Sequence, residues 1–228
     1  MGRRVVLGMM GTGLAGIVFG SKAADLLERV VAPFASRDGT GFLSLLPVGR
    51  FRIYTVTGRL HSRSEEGYRL HVAGHVDTPF TLTMADLRAM PPTRMTKDFQ
   101  CVTGWRVHDV KWVGVRLADL MDQAGVKEGA WGVRFHSFDG VYTETLTMAQ
   151  ARRQDVIVAY ELEGKPVSSA HGGPARLYVA PMYGYKSIKW LERIEVTETE
   201  PPAGYWEVRG YDTDAWIGKS NGRDDRPV

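Results

Sequence analysis

The chain has a single cysteine, Cys101, among 228 residues. One thiol cannot form a disulfide framework, and without a second it cannot build a structural zinc site. HExxH is missing, as are CxxCH for haem attachment and the cysteine set of an iron–sulfur cluster. The one glycine-dense stretch, GMMGTGLAG, lies near the start and lacks the lysine of a phosphate loop. An excess of one charge is also missing from most of the chain. Arg3, Arg4 and Lys22 account for the net charge of +3, and no acid precedes Asp25. Without those three, the 29 basic residues fall to 26, equal to the 26 acidic ones. The pI of about 9.0 is therefore a property of the first residues, and no nucleic-acid partner is expected.

What is present reads as an ordinary globular chain, with 43% hydrophobic and 24% charged residues. Residues 1–23 have the layout of a secretory leader: two arginines, an uncharged stretch from Val5 to Ser21, then Ser21-Lys22-Ala23. Five glycines dilute that stretch, and it falls short of a membrane-spanning helix. Adjacent arginines and a weakly apolar core resemble a twin-arginine signal peptide, which implies export to the periplasm or another extracytoplasmic space. The alternative is an uncleaved N-terminal membrane anchor. Residues 24–50 read as a linker, and residues 51–228 as one domain.

Within that domain the patterns favour short strands. Phe51 to Val56 is rich in β-formers, and Tyr68 to Ala73 alternates with period two. Trp131 to Phe138 alternates as well, with Val133 and Phe135 on one face, before the turn Asp139-Gly140. Asp155–Tyr160, Arg176–Val179 and Arg193–Glu198 also read as strands. Thr83 with Asp86 predicts a capped short helix, and Thr147 predicts another running to Arg153. Many strands with few short helices predict a mixed, strand-rich α+β fold. The tail after Pro201 carries Trp206, Tyr211 and Trp216, which predicts that it packs on the domain.

Two segments carry chemistry. Cys101 lies in DFQCVTGW, at the end of a predicted strand. A lone cysteine is commonly a small buried hydrophobe, but an unpaired thiol in an exported protein points to one that is occupied, as metal ligand or nucleophile. The second segment, HGGPARLYVAPMYGYKSIKW, spans residues 171–190. It is either a surface loop with solvated charges or a site. Its glycines permit close backbone approach, and its fixed cations suit an anionic ligand such as a phosphate.

DFQCVTGW, VGVRLADLMDQAGV, FHSFDGVYTETL, HGGPARLYVAPMYGYKSIKW and GYWEVRGY are similar, in that order, to segments of the sulfite oxidase-like molybdopterin oxidoreductases. YRLHVAGHVDTPFTLTMADL matches the stretch upstream of the family's cysteine, so the resemblance covers about residues 50–212. It implies a sulfite oxidase-type molybdopterin-binding domain with Mo-molybdopterin as cofactor and Cys101 as the metal ligand. It implies pterin contacts at Tyr54 and Thr55, with Arg52 a weaker candidate, and at Ser137, His171, Arg176, Ser187, Ile188 and Lys189. Where His171 stands, the methionine sulfoxide-reducing branch has an asparagine. Tyr183 and Lys186 are candidates to face the substrate, and so is Tyr185. The chain departs from sulfite oxidases proper in VTGWRV, which replaces the arginine-rich run that follows their cysteine.

The reading is an exported molybdenum oxidoreductase that moves two electrons, with an oxygen atom, to or from a small-molecule substrate. It has no internal relay, so a separate electron carrier is expected, a cytochrome or membrane haem protein. A monomer is expected. The rival readings are a non-catalytic pterin-binding protein and a cysteine-dependent hydrolase.

Overall fold

Short strands supply two sheets; Leu70–Gly74 and Gly132–Ser137 largely alternate buried and less buried residues, whereas Val156–Leu162 and Arg176–Val179 are buried on both faces. A computed structural model describes residues 51–222. The leader and linker predicted over 1–50 lie outside the described residues. The chain divides after Phe51, and the unit from Arg52 onward carries every element below.

In the first sheet β1 (Leu70–Gly74) pairs antiparallel with β2 (Phe80–Leu82). The short helix α1 (Met84–Ala89) follows, capped as predicted: Thr83 accepts from Asp86 N–H while Asp86 accepts from Thr83 N–H. The second sheet opens with the hairpin β3 (Thr93–Gln100) and β4 (Arg106–Arg116). Helix α2 (Leu117–Ala124) buries Leu117, Leu120, Met121 and Ala124, one stripe at helical spacing, and stops where Gly125 takes φ +68°.

The chain then returns to the first sheet with β5 (Gly132–Ser137) and β6 (Thr143–Thr147). Val133 and Phe135 are fully buried, as the alternation predicts. Helix α3 (Met148–Ala151) has the predicted Thr147 cap but ends before Arg153, whose guanidinium turns to Asp155. Strands β7 (Val156–Leu162), β8 (Lys165–Pro166) and β9 (Arg176–Val179) join the second sheet, and β10 (Leu191–Thr197) closes the first. The sheet orders are β2-β1-β10-β5-β6 and β3-β4-β7-β8, with β9 also on β7. The β1–β10 pair is parallel and all others are antiparallel.

Val72, Phe135 and Ile194 of the first sheet share one core with Val115, Val158 and Leu177 of the second. The tail packs onto that core through Trp206, Tyr211 and Trp216, as its aromatics predict. Residues 51–55 form no strand. Ile53 and Tyr54 are 43% and 57% exposed, so the segment has no buried face to hold it in a sheet. No helix among the described residues is long and apolar enough to cross a membrane.

Candidate functional site

Cys101 sits in the turn of the β3–β4 hairpin. Gln100 pairs with Arg106, which leaves Cys101–Trp105 as the connection. Cys101 N–H donates to the Trp105 carbonyl at 2.9 Å, and Gly104 N–H donates to the Cys101 carbonyl at 3.0 Å. Gly104 has φ +102°, a conformation that a side chain would strain. The Gln100 side-chain amide also donates to the Cys101 carbonyl, at 3.1 Å. Gln100 in turn accepts from Arg106 Nε, and Arg106 and His108 both reach Asp98. The thiol is partly exposed, and Thr103 Oγ1 donates to its Sγ at 3.2 Å.

The segment 171–190 is not a solvated surface loop. Arg176 is 3% exposed on β9 and ties the segment together. Its Nη1 donates to the His171 carbonyl at 2.7 Å, Nη2 to the Ser187 carbonyl at 2.6 Å and Nε to the Leu177 carbonyl at 3.3 Å. Two of its five N–H donors remain. The guanidinium lies over Phe99 and Trp112, with ring centroids 5.5 and 5.7 Å away. Phe99 is two residues before Cys101, and a Cβ on Gly184 would strike its ring. The cysteine hairpin and this segment therefore share a wall.

Three basic groups gather at that wall. Burial lowers the Arg176 pKa to about 10, and burial together with the Arg176 charge lowers the Lys189 pKa to about 8. Burial also lowers the His171 pKa, with Arg176 and Lys189 adding to the effect. Asp139 pulls Lys189 the other way, but more weakly. Gly172 fixes Lys189: with φ +96° and any Cβ only 2.5 Å from the lysine Cβ, no other residue fits there. The Lys189 ammonium donates to the Tyr54 carbonyl, and the Tyr54 ring lies 6.5 Å from that of Trp105. The next residue, Trp190, takes φ +55° and donates to the Gly172 carbonyl at 2.8 Å.

Five of the predicted positions are thus linked around this wall: Cys101 through Phe99, with Tyr54, His171, Arg176 and Lys189. Ser137 is buried at the end of β5, where its Oγ accepts from Asp139 N–H at 3.1 Å. Ile188 is buried, and its carbonyl accepts from Leu177 N–H. Ser187 accepts at Oγ from Val179 N–H at 2.9 Å, which leaves its hydroxyl proton to donate. Arg52 is exposed, and Thr55 is half-buried beside Tyr54.

Tyr183 and Lys186 do not face a substrate. Tyr183 is fully buried, and its hydroxyl accepts from Gly218 N–H at 3.2 Å. Lys186 is also fully buried, and its ammonium donates at 2.6 Å to both Glu144 and Glu207. A cation neutralised by two carboxylates in the core belongs to the fold. Tyr185 is similarly engaged, donating to the Asp212 carbonyl and accepting from Asn221. Sequence reading missed these two acids, and also Thr103, Gln100 and Arg106. The Gln100–Arg106 pair could have been read from a hairpin centred on Gly104, but nothing local marks Glu144 as the partner of a lysine 42 positions away.

The residues present fit an anionic, soft-metal cofactor. Crowded cations with lowered pKa values gain stability when an anion arrives between them. A thiol on a rigid turn suits a soft metal. Among the described residues no group of three or more His, Cys, Asp or Glu could hold a metal.

Residues 57–206 match the family described as the oxidoreductase molybdopterin binding domain. The chain is 38% identical over 144 residues to the uncharacterized oxidoreductase YuiH of Bacillus subtilis, an alignment covering 63% of this chain and 72% of that protein. It is 31% identical over 172 residues to the mitochondrial sulfite oxidase of Rattus norvegicus, covering 63% of this chain but 31% of the rat protein. With the sulfite oxidase of Arabidopsis thaliana it shares 28% over 180 residues, 46% of that protein's length. The chain thus spans less than half the length of these sulfite oxidases. The sulfane dehydrogenase SoxCD of Paracoccus pantotrophus shares the fold, with a TM-score of 0.57 at 24% identity over 64% of this chain and 41% of that one. The chain belongs to the sulfite oxidase-like molybdopterin oxidoreductases, whose cofactor is Mo-molybdopterin.

Proposed function

We propose that this protein is an exported oxidoreductase in which Cys101 holds molybdenum. It exchanges two electrons, with an oxygen atom, with a small-molecule substrate and passes them singly to a separate carrier. The observation that carries the reading is the juxtaposition of the Cys101 hairpin with the basic group His171, Arg176 and Lys189. When bound, Mo-molybdopterin supplies a metal that changes oxidation state by two electrons and can exchange an oxygen atom.

The chain's own residues bind, orient and exclude water. Cys101 provides the thiolate, and the hairpin hydrogen bonds keep its backbone from shifting. Lys189 and the two uncommitted donors of Arg176 would balance the negative charge of the cofactor phosphate, with His171 beside them. The Ser187 hydroxyl and the backbone at Ile188 and Lys189 would contact the pterin, and Ser137, Tyr54, Thr55 and Arg52 are the other residues that would hold it. Trp105 is buried and stacks on Phe99 beside the hairpin. Arg106, the first arginine after Cys101, is held by Asp98 and Gln100, so it is not a free cation for sulfite. Thr103, rather than a general base, reaches Sγ, which weighs against a cysteine-dependent hydrolase.

A separate electron carrier fits a chain whose described residues hold no CxxC pair and no nucleotide loop. A cytochrome or membrane haem protein suits the extracytoplasmic location that the leader predicts, and a weak, small docking contact is expected. The test is protein purified from a molybdenum-competent host, with metal and pterin content measured and turnover followed with an artificial dye acceptor. Bound molybdenum with dye-linked turnover supports the reading. Protein with neither pterin nor molybdenum refutes it.

A further inference from the structure

The hydrogen bond onto the sulfur of Cys101 has a role that the loading of the cofactor does not use. The cysteine backbone is already fixed three ways: through Cys101 N–H to Trp105, Gly104 N–H to the Cys101 carbonyl, and the Gln100 amide to that same carbonyl. Gln100 is 3% exposed and braced by Arg106, so the turn is held without help from the side chain of Thr103. Yet Thr103 directs its hydroxyl at Sγ across 3.2 Å, a close approach for an O–H to sulfur. Thr103 itself is exposed, so this contact sits at the solvent edge of the turn. Once the sulfur is a metal-bound thiolate it has no proton to give, and the hydroxyl can only donate.

We infer that Thr103 is a positioning residue that sets the reduction potential of the metal held at Cys101. The proposal rests on the reading of Cys101 as the metal ligand. A donor aimed at a coordinating sulfur draws electron density from it, weakens its donation to the metal and stabilises the reduced state. The Thr103 hydroxyl therefore raises the potential, and through it the driving force for taking electrons from a substrate.

The experiment is a redox titration of wild-type protein, Thr103→Val and Thr103→Ser, followed by electron paramagnetic resonance of the one-electron-reduced metal. Molybdenum content is measured on the same samples. Valine keeps the shape and removes the donor, whereas serine keeps the donor. The expected result is equal molybdenum in all three, a midpoint shifted to lower potential in T103V, and a midpoint back near the wild-type value in T103S. A loaded T103V with the wild-type midpoint overturns the proposal and leaves the cofactor reading intact. Loss of molybdenum from both variants also overturns it, since the residue would then serve loading and not tuning. Wild-type protein without molybdenum removes the cofactor reading itself, and this proposal with it.

Discussion

Replacing Lys186 with methionine tests whether this lysine belongs to the core or to the site. Its ammonium has no exposure and lies 2.6 Å from one oxygen of Glu144 and 2.6 Å from one of Glu207. Glu144 Oε1 also accepts from Thr145 N–H, while Oε2 of both acids is buried without a donor. Burial pushes the Glu144 pKa well above its usual value; Lys186 partly offsets this, and Glu207 raises it further. Removing the lysine leaves two carboxyl groups in the core with no cation. Breaking a buried pair in this way costs about 3–5 kcal/mol. For a domain of this size each kcal/mol lowers Tm by about 2–4 °C, so K186M should melt on the order of 10 °C below wild type. A carboxyl whose folded pKa is raised stabilises the fold below its unfolded pKa and loses that contribution as pH rises through the folded value. The K186M defect should therefore be smaller at about pH 5 than at about pH 8. Urea and thermal melts at both pH values are the assay, and K186M/E144Q/E207Q should recover part of the loss. A K186M protein within about 1 kcal/mol of wild type at both pH values would refute the buried triad.

Four further outcomes follow from the site, the leader and the electron carrier. Lys189→Met should weaken retention of the pterin cofactor by roughly 10–100-fold, the loss of one charged hydrogen bond of about 1.5–3 kcal/mol, measured by dialysis against chelator. In wild type, retention should fall as pH climbs through about 8, where the Lys189 ammonium loses its proton; retention unchanged above that pH would remove Lys189 from the anion site. Arg3→Lys with Arg4→Lys should stop export with no change in charge, because a twin-arginine receptor reads guanidinium groups, and fractionation showing normal export would point to another route. Turnover of the purified chain with NADH or NADPH and no other carrier would contradict the need for an external electron carrier.

The sequence carried the fold where a local rule decides structure. The Thr83–Asp86 box and the Val133–Phe135 alternation act within a few residues, and both elements form where they predict. It failed at Phe51–Val56, where β-forming residues have no neighbouring strand and no buried face. Lys186 shows the same limit in the site. A lysine between two tyrosines and a serine looks available for chemistry, and only the fold brings Glu144 and Glu207 to it. Arg176 lies between these cases. Its place beside the site was legible, but its three bonds to backbone carbonyls depend on how β9 meets the 184–189 turn. Thr103 lies within DFQCVTGW, yet nothing in a one-dimensional pattern tells which side chain of a turn points at the sulfur.

The central claim is that Cys101 binds the metal, and the direct measurement is the electron paramagnetic resonance spectrum and molybdenum content of Cys101→Ser beside wild type. A hydroxyl is a poor substitute for a soft thiolate. The serine variant should lose molybdenum, or keep it with an altered spectrum and no turnover, while its circular dichroism is unchanged. A Cys101→Ser protein with wild-type molybdenum content, spectrum and turnover would contradict that claim.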